Sequence, residues 1–105
     1  MNDLYARFDR VFFEKTRLSM LTILFDEGKV TFSRLRQVLK GTDGRIYSHL
    51  NKLEESGYIF RERILAEDSV QSCYALTAKG KQAFKEYLEF IKSMLSRYPD
   101  NDKKT

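Results

Sequence analysis

Residues 31–57 read TFSRLRQVLKGTDGRIYSHLNKLEESG, a pattern typical of two short helices joined by a tight turn. The first helix is predicted over residues 34–40, where Ser33 can cap it. Its buried face carries apolar residues at i, i+3 and i+4: Leu35, Val38 and Leu39. Gly41 makes the turn, and Thr42 is predicted to cap the second helix. Two helices with so short a link must cross steeply, which predicts a helix-turn-helix arrangement.

The second helix, predicted over residues 42–56, has one apolar face and one small, polar and basic face. Ile46, Leu50 and Leu53 fall at i, i+4 and i+7 and are predicted to be buried. A rotation of about 100° per residue gives the opposite face: Gly44, Ser48, Asn51 and Lys52, flanked by Arg45 and Tyr47. Glycine costs about 1 kcal/mol of helix stability against alanine, but it lets the backbone approach a phosphate or base edge. This face has the chemistry needed to enter a DNA groove.

Positive charge is concentrated around the same helix pair. The chain carries a net charge of +4 at pH 7, and residues 29–63 hold eight Lys and Arg against four acids. The segments before and after are close to electrical balance, so the basic excess coincides with the two helices. A polyanionic partner is predicted, the alternative being a solvated surface that binds nothing.

Composition sets the class of protein. With 105 residues, of which 42% are hydrophobic and 32% charged, the chain suits one soluble domain with a modest core. No apolar run is long enough to span a bilayer and the N-terminus does not resemble a secretory signal, so we expect a cytoplasmic protein without a membrane partner. A single cysteine cannot form an internal disulfide, and a single histidine leaves too few ligands for a zinc site unless carboxylates or a second subunit contribute. No catalytic motif is recognisable, and we expect neither an enzyme nor a cofactor.

The single histidine and the single cysteine each have a structural and a sensing interpretation. His49 stands about 60° from the centre of the buried helix face, which favours a packed or hydrogen-bonded boundary residue. A phosphate contact or a pH effect is the alternative. Cys73 is most simply a small buried hydrophobe in a strand, and a regulatory thiol is the alternative.

Regular elements are also predicted on both sides of the helix pair. A helix over residues 16–27, ended by Gly28, is apolar on most of its circumference and should be the hub of the core. A minimal strand is predicted within residues 29–32. Downstream, strands over residues 58–65 and 70–76 are predicted to form a β-hairpin with a four-residue loop.

Apolar stripes at both ends of the chain predict dimerisation helices over residues 3–14 and 77–98, the second capped by Thr77 and followed by a disordered tail, residues 99–105. A monomer of this size has little surface left to cover such stripes. The predicted interface comprises Leu4, Tyr5, Phe8, Phe12, Phe84, Tyr87, Leu88, Ile91, Met94, Leu95 and Tyr98. Its aromatic residues could instead line a pocket for a small-molecule effector between subunits.

Several short motifs occur in a recognisable order between residues 16 and 95. They are Thr16-Arg17-Leu18, Phe32-Ser33-Arg34-Leu35, Thr42-Asp43-Gly44, Ser48-His49-Leu50, Leu53-Glu54, Gly57-Tyr58 and Tyr74-Ala75-Leu76-Thr77 with Gly80. In this order and spacing the chain resembles the winged helix-turn-helix transcription regulators, in the small stand-alone branch related to the MarR and ArsR families. The resemblance implies a mainly α fold with a small β-hairpin (α+β), and a single winged-helix DNA-binding domain over residues 1–98.

The resemblance further implies a homodimeric, sequence-specific regulator bound to double-stranded DNA, with the helix of residues 42–56 in the major groove and the wing of residues 58–76 on the backbone. Arg45 and Asn51 would read bases, since arginine suits guanine and asparagine suits adenine. The predicted DNA-binding residues are Ser33, Arg34, Thr42, Asp43, Gly44, Arg45, Tyr47, Ser48, Asn51, Lys52, Arg61 and Arg63.

The predicted wing departs from the family pattern at its tip, which reads Ala66-Glu67-Asp68-Ser69 instead of being basic. Two acids near phosphates are repelled, so Arg61 and Arg63 are expected to make the wing contact. The acidic tip also favours a second hypothesis, a winged-helix protein–protein interaction module in a larger assembly without specific DNA binding.

Overall fold

The computed structural model describes residues 11–97, which form four helices and one three-stranded antiparallel sheet. The sheet order is β1-β3-β2, so the strand that is last in sequence lies in the centre. In chain order the elements are α1 (Lys15–Glu27), β1 (Val30–Thr31), α2 (Phe32–Val38), α3 (Asp43–Glu55), β2 (Ile59–Ala66), β3 (Ser69–Leu76) and α4 (Ala78–Arg97). The predicted winged helix-turn-helix is confirmed, with α2 and α3 as the helix pair and β2–β3 as the wing.

Helix α1 is the hub of the core, as its apolar circumference predicts. Met20, Leu21 and Leu24 are all but inaccessible to solvent, and the helix contacts α3, α4 and β3. Gly28 ends it with φ +87° and donates its N–H to the carbonyl of Leu24, in agreement with the predicted C-terminal cap. The core around it consists of Phe12, Val30, Leu35, Ile46, Leu50, Leu53, Tyr58, Ile59, Tyr74, Leu76 and Phe84.

Helix α2 begins and ends two residues before its predicted bounds, because Thr31, not Ser33, caps it. The Thr31 hydroxyl accepts a hydrogen bond from the Arg34 N–H at 3.1 Å, which leaves Ser33 exposed inside the helix. Thr31 is also the last residue of β1, so the strand leads directly into the helix that this residue caps. The earlier end leaves Val38 44% exposed, contrary to its predicted burial, whereas Leu35 is buried.

The wing has a tighter turn than predicted. Pairing continues to Ala66 and Ser69, so the loop contains two residues, Glu67 and Asp68, instead of four. Both have positive φ, +50° and +69°, which is the pattern of a type I′ hairpin turn. Because that turn matches the natural twist of the strands, the hairpin remains regular to its tip.

Helix α4 is anchored to the wing by its first turn. The predicted cap Thr77 accepts the Gly80 N–H at 3.0 Å, and its own hydroxyl donates to the Gly57 carbonyl at 2.6 Å. Gly80 packs directly on the chain: a Cβ there would lie 2.0 Å from the carbonyl oxygen of Tyr58. The start of α4 therefore sits at a fixed distance from the base of β2.

Two residues predicted for the dimer interface belong instead to the core of the chain itself. Phe12 and Phe84 are 1% and 3% exposed, and Phe12 packs edge-on against Tyr58 at a ring distance of 5.7 Å. Neither can line an interface or an effector pocket between subunits, because the chain's own aromatic rings already cover both. Val11–Phe13 form a turn, so the last part of the predicted helix over residues 3–14 is wrong.

The rest of the predicted interface divides between exposed and half-buried positions on α4. Leu88 and Leu95 are 42% and 69% exposed, and Tyr87, Ile91 and Met94 are half-buried. The predictions for Leu4, Tyr5, Phe8, Tyr98 and the tail fall outside the described residues. Within residues 11–97, no helix has the length and apolar character needed to cross a membrane.

Candidate nucleic-acid interface

Helix α3 presents the outer face that its periodicity predicts. Ile46, Leu50 and Leu53 are at most 1% exposed, which fixes the rotation of the helix about its axis. The opposite side is open to solvent and carries Gly44, Arg45, Tyr47, Ser48, Asn51 and Lys52, all exposed. Thr42 caps the helix, accepting the Arg45 N–H at 3.2 Å. The first turn is exposed to solvent, and the positive end of the helix dipole lies there.

Tyr47 is held in place by a contact that the sequence does not reveal. Its ring stacks on that of Phe32, with centroids 4.1 Å apart and planes inclined by 8°. Phe32 is the first residue of α2, so the stack joins the two helices of the pair. Tyr47 nevertheless remains 39% exposed and keeps an edge available to a partner.

Two arginines of α2 are paired with acids of the chain. Arg34 donates two hydrogen bonds to Glu27 at 3.1 and 2.8 Å, and the guanidinium holds the pKa of that carboxyl below its usual value. Arg36 donates to Asp43 at 3.2 Å across the helix turn. Asp43 is therefore both a first-turn acid of α3 and the counter-charge of Arg36. These exposed pairs offset much of the positive charge of α2.

Arg61 and Arg63 lie on one face of β2, on the same side as the buried Ile59. Both side chains are exposed. Arg61 lies opposite Tyr74; burial raises the pKa of that phenol, and a hydrogen bond with Arg61 acts in the opposite direction. Further out the same face bears an exposed apolar pair, Leu65 opposite Val70.

Beside α3 lies a hydrogen-bonded network that sequence reasoning missed. Arg17 is only 9% exposed; its Nε donates to the Val11 carbonyl at 2.7 Å, and its terminal nitrogen lies 3.0 Å from Nδ1 of His49. The Arg17 N–H donates to the Glu14 carboxylate at 2.8 Å, which caps α1. His49 is thus the packed, hydrogen-bonded boundary residue favoured by its helical position, with a partner 32 residues away.

Ionisation in this network follows from burial and from the surrounding charges. Burial lowers the pKa of His49; Glu14 acts to raise it, and Arg17, Arg45 and Lys52 add to the lowering. Burial acts to raise the pKa of Glu14, but the Arg17 N–H and the nearby positive charges outweigh it and the pKa falls. His49 is therefore neutral at pH 7, and its 3.6 Å approach to Glu14 is not an ion pair there.

Cys73 is a buried residue of β3, 2% exposed, in agreement with its interpretation as a small hydrophobe. It lies opposite Glu62 in the hairpin, and Glu62 forms an ion pair with Lys29. Cys73 thus lies between Thr31 of β1 and Glu62 of β2, its two cross-strand neighbours.

A helix pair, a following two-stranded wing and a solvent-exposed second helix with a basic flank define a winged helix-turn-helix protein. Comparison with known families agrees: residues 16–95 match the model of the winged helix DNA-binding domain, and the chain belongs to that family. It is 32% identical to an uncharacterized protein of Methanocaldococcus jannaschii over 79 residues, which are 75% of this chain and 86% of that one.

Solved structures show the same fold. A transcriptional regulator homologue from Pyrococcus horikoshii superposes with a TM-score of 0.81 at 23% identity, over 95% of this chain and 100% of that one. A proposed transcriptional regulator of the MarR family from Enterococcus faecalis gives a TM-score of 0.75 at 21% identity, over 92% of this chain and 84% of that one. The winged-helix family and the fold that the resemblance implies are therefore both confirmed.

Proposed function

We propose that the chain is a homodimeric, sequence-specific DNA-binding regulator of transcription, with α3 in the major groove of each half-site. The observation that carries the proposal is the outer face of α3. It is exposed, free of large aliphatic side chains, and fixed in orientation by three buried residues on the other side. An α-helix with such a face fits the major groove of B-DNA, where base edges are distinguishable.

Within this face we assign base reading to Arg45 and Asn51. An arginine pairs with the two acceptors of guanine, and an asparagine pairs with the donor and acceptor of adenine. Thr42, Ser48 and Lys52 surround them and suit phosphate or base-edge contacts. Backbone contacts by the wing are assigned to Arg61 and Arg63, because the acids at the tip are repelled by phosphates.

Dimerisation is assigned to α4. Leu88 and Leu95 are seven residues apart, lie on one side of the helix and are exposed, with Ile91 and Met94 half-buried beside them. This spacing is that of a heptad seam, which buries its apolar positions against a second helix. Two copies would place two α3 helices on one duplex, as a palindromic site requires.

A titration by fluorescence anisotropy tests the proposal, using duplexes selected from random sequence at several salt concentrations. We expect tight binding to a palindromic site with an affinity that falls steeply with salt. Asn51→Ala should weaken the free energy of DNA binding by about 1 to 3 kcal/mol and relax selection at one base pair per half-site. Gln82→Ala, an exposed change on α4, is the matched control and should change neither the affinity nor the base preference. Absence of any salt-dependent DNA affinity in the unmodified protein would exclude the regulator.

The tip of the wing favours a second candidate, a protein–protein interaction module. Leu65 and Val70 are 75% and 62% exposed, and they form a cross-strand apolar pair next to the acidic turn. Such a patch has little to offer a phosphate backbone but suits a partner with apolar and basic groups. If DNA affinity is absent, Leu65→Ser is the change that should disrupt this module's binding to its partner.

A further inference from the structure

We infer that a small pocket between the start of α1 and α3 binds one phosphate group of the DNA backbone, through Lys40 and the Nε2–H of His49. The inference deepens the proposed function and rests on it. It assigns to a defined cavity the contact that holds α3 in register on the duplex, and it gives His49 a function besides packing.

The pocket has a volume of about 270 Å³ and lies at the edge of the outer face of α3. Arg45 belongs to both the pocket and the outer face, so the cavity opens beside the part of the helix that enters the groove. In B-DNA the groove edges are formed by phosphates, and a cavity at this place meets the backbone. It is lined by Thr16, Lys40, Gly41, Arg45, Ile46 and His49.

The charge of the lining fits an anion. Lys40 and Arg45 supply two cations, Thr16 supplies a hydroxyl, and no acid is among the lining residues. Of the residues that the structure describes, none forms an ion pair with Lys40 or Arg45, in contrast to Arg34 and Arg36 of α2. Lys40 therefore remains available to a phosphate, while Arg45, which reads a base in the proposed complex, adds positive potential at the edge of the pocket.

The hydrogen bond from Arg17 decides which nitrogen of His49 carries the proton. A guanidinium stays protonated at any physiological pH and can only donate, so Nδ1 of His49, 3.0 Å away, must accept. In the neutral ring the proton then resides on Nε2, which becomes a donor. The other groups around the ring do not change this. The Glu14 carboxylate lies 3.6 Å from Nδ1, farther than the Arg17 donor and beyond hydrogen-bond distance, and Arg45 and Lys52 are cations that accept no hydrogen bond.

The same network makes the donor rigid. Arg17 joins the turn at Val11, the start of α1 and His49 on α3 through hydrogen bonds of 2.7 and 3.0 Å. The imidazole therefore has its orientation before any ligand arrives. A donor fixed in advance loses little conformational entropy on binding, which favours a tight and geometrically defined phosphate contact.

Salt dependence tests the lysine. Lys40→Gln removes one exposed cation at the pocket, and Lys85→Gln removes one exposed cation on α4 as the matched control. Removing a phosphate contact should reduce the slope of log K against log salt by about 0.9 per half-site. We expect this reduction for Lys40→Gln alone. Equal slopes for Lys40→Gln and the unmodified protein would overturn the phosphate site. If the unmodified protein shows no salt-dependent DNA binding at all, the proposed function is overturned as well.

Two substitutions of His49 separate the donor from the packing role. An asparagine side chain can place an acceptor at the position of Nδ1, where Arg17 donates, but it has no donor at the position of Nε2. A glutamine side chain places its amide group at the position of Nε2. We expect His49→Asn to unfold at the same urea concentration as the unmodified protein and to bind all DNA sequences about tenfold more weakly, the value of one charge-assisted hydrogen bond. His49→Gln should bind DNA more tightly than His49→Asn. Equal DNA affinities of the two variants would show that His49 only packs.

Neutral phosphate analogues locate the contact on the duplex. Methylphosphonate is introduced at one backbone position at a time in the selected site. The unmodified protein should lose affinity when one particular phosphate per half-site is replaced. The Lys40→Gln protein should lose little affinity from the same replacement, because it has no lysine to contact that phosphate. If both proteins lose affinity equally at every position, Lys40 does not touch a phosphate and the pocket is not the site.

Discussion

Gly44→Ala should make the protein more stable and a weaker DNA binder. Gly44 lies in the first turn of α3, and a Cβ built on it meets nothing within 4 Å. The methyl group therefore fits without any movement of the chain. Replacing glycine by alanine in a helix reduces the conformational entropy of the unfolded state, so we expect an increase of about 0.5 to 1 kcal/mol in the free energy of unfolding.

The same substitution, Gly44→Ala, should weaken DNA binding although it stabilises the protein. In the proposed complex the backbone at Gly44 comes close to a phosphate or a base edge, because no side chain intervenes. A methyl group there must push the helix away from the groove. Weakening one such interaction corresponds to about 1.4 kcal/mol, a tenfold increase in Kd.

Two measurements on one variant check this reasoning. Urea denaturation gives the change in stability, and anisotropy titration on the selected site gives the change in Kd. Ser93→Ala, an exposed change on α4, is the control: it should raise helix propensity slightly and leave DNA affinity unchanged. A Gly44→Ala protein that binds DNA as tightly as the original would refute the close approach. A destabilised variant would contradict the free space around Gly44.

Three further outcomes are expected. Gly80→Ala should lower the free energy of unfolding, measured by urea denaturation, by about 3 kcal/mol or more. The added Cβ would lie 2.0 Å from the carbonyl oxygen of Tyr58, a backbone atom that cannot move aside. Unchanged stability would contradict this packing. Burial lowers the pKa of His49 in the folded protein although Glu14 acts to raise it, so the unfolded state binds more protons. The free energy of unfolding should therefore fall as the pH drops through 6.5 and level off below the folded pKa. The His49→Asn protein is the control, and its free energy of unfolding should not change over this pH range. Leu88→Glu should give a monomer in sedimentation and weaken DNA binding, whereas an unchanged mass would refute the seam on α4.

Helix α3 could be predicted from sequence almost to the residue, because its signals are local. Thr42 is a cap, and Ile46, Leu50 and Leu53 repeat with the helical period, so one window of residues contains all the information. In the structure Thr42 caps the helix and the three apolar residues are buried, as predicted. The structure also adds the stack of Tyr47 on a residue of α2, which no periodicity indicates.

The start of α2 depends on distant residues, and the sequence pattern places it too late. Thr31 caps the helix because it ends β1, and β1 exists because Val30 and Thr31 pair with Tyr74 and Cys73 of β3. A strand of two residues has almost no signal of its own. Its partners lie more than 40 residues further along the chain, where no local window reaches.

The turn of the wing escapes prediction for a different reason. Two-residue hairpin loops with positive φ are usually recognised by Asn-Gly or Asp-Gly, since these residues adopt that conformation at low cost. Here Glu67 and Asp68 occupy both positions, and a glutamate with φ +50° is uncommon. The pairing of Leu65 with Val70 and of Ala66 with Ser69 extends the strands to the turn, so the register of the whole hairpin determines its conformation.

The distribution of charge changes most between sequence and structure. Counted along the chain, the basic excess covers both helices of the pair, but three of its cations have acidic partners: Lys29 with Glu62, Arg34 with Glu27 and Arg36 with Asp43. No ion pair within residues 11–97 involves the remaining five, which are Lys40, Arg45, Lys52, Arg61 and Arg63.

These five cations lie on α3, on the turn before it and on β2, so the field that a polyanion meets is centred on α3 and not on α2. Exposed pairs such as that of Arg34 with Glu27 contribute little to stability, and a phosphate could take the place of Glu27 at small cost. If Arg34 binds a phosphate, the Glu27 carboxylate stays beside that phosphate and repels it, a repulsion that Lys40 does not incur. The first phosphate contacts of the helix pair should therefore form at the pocket beside His49.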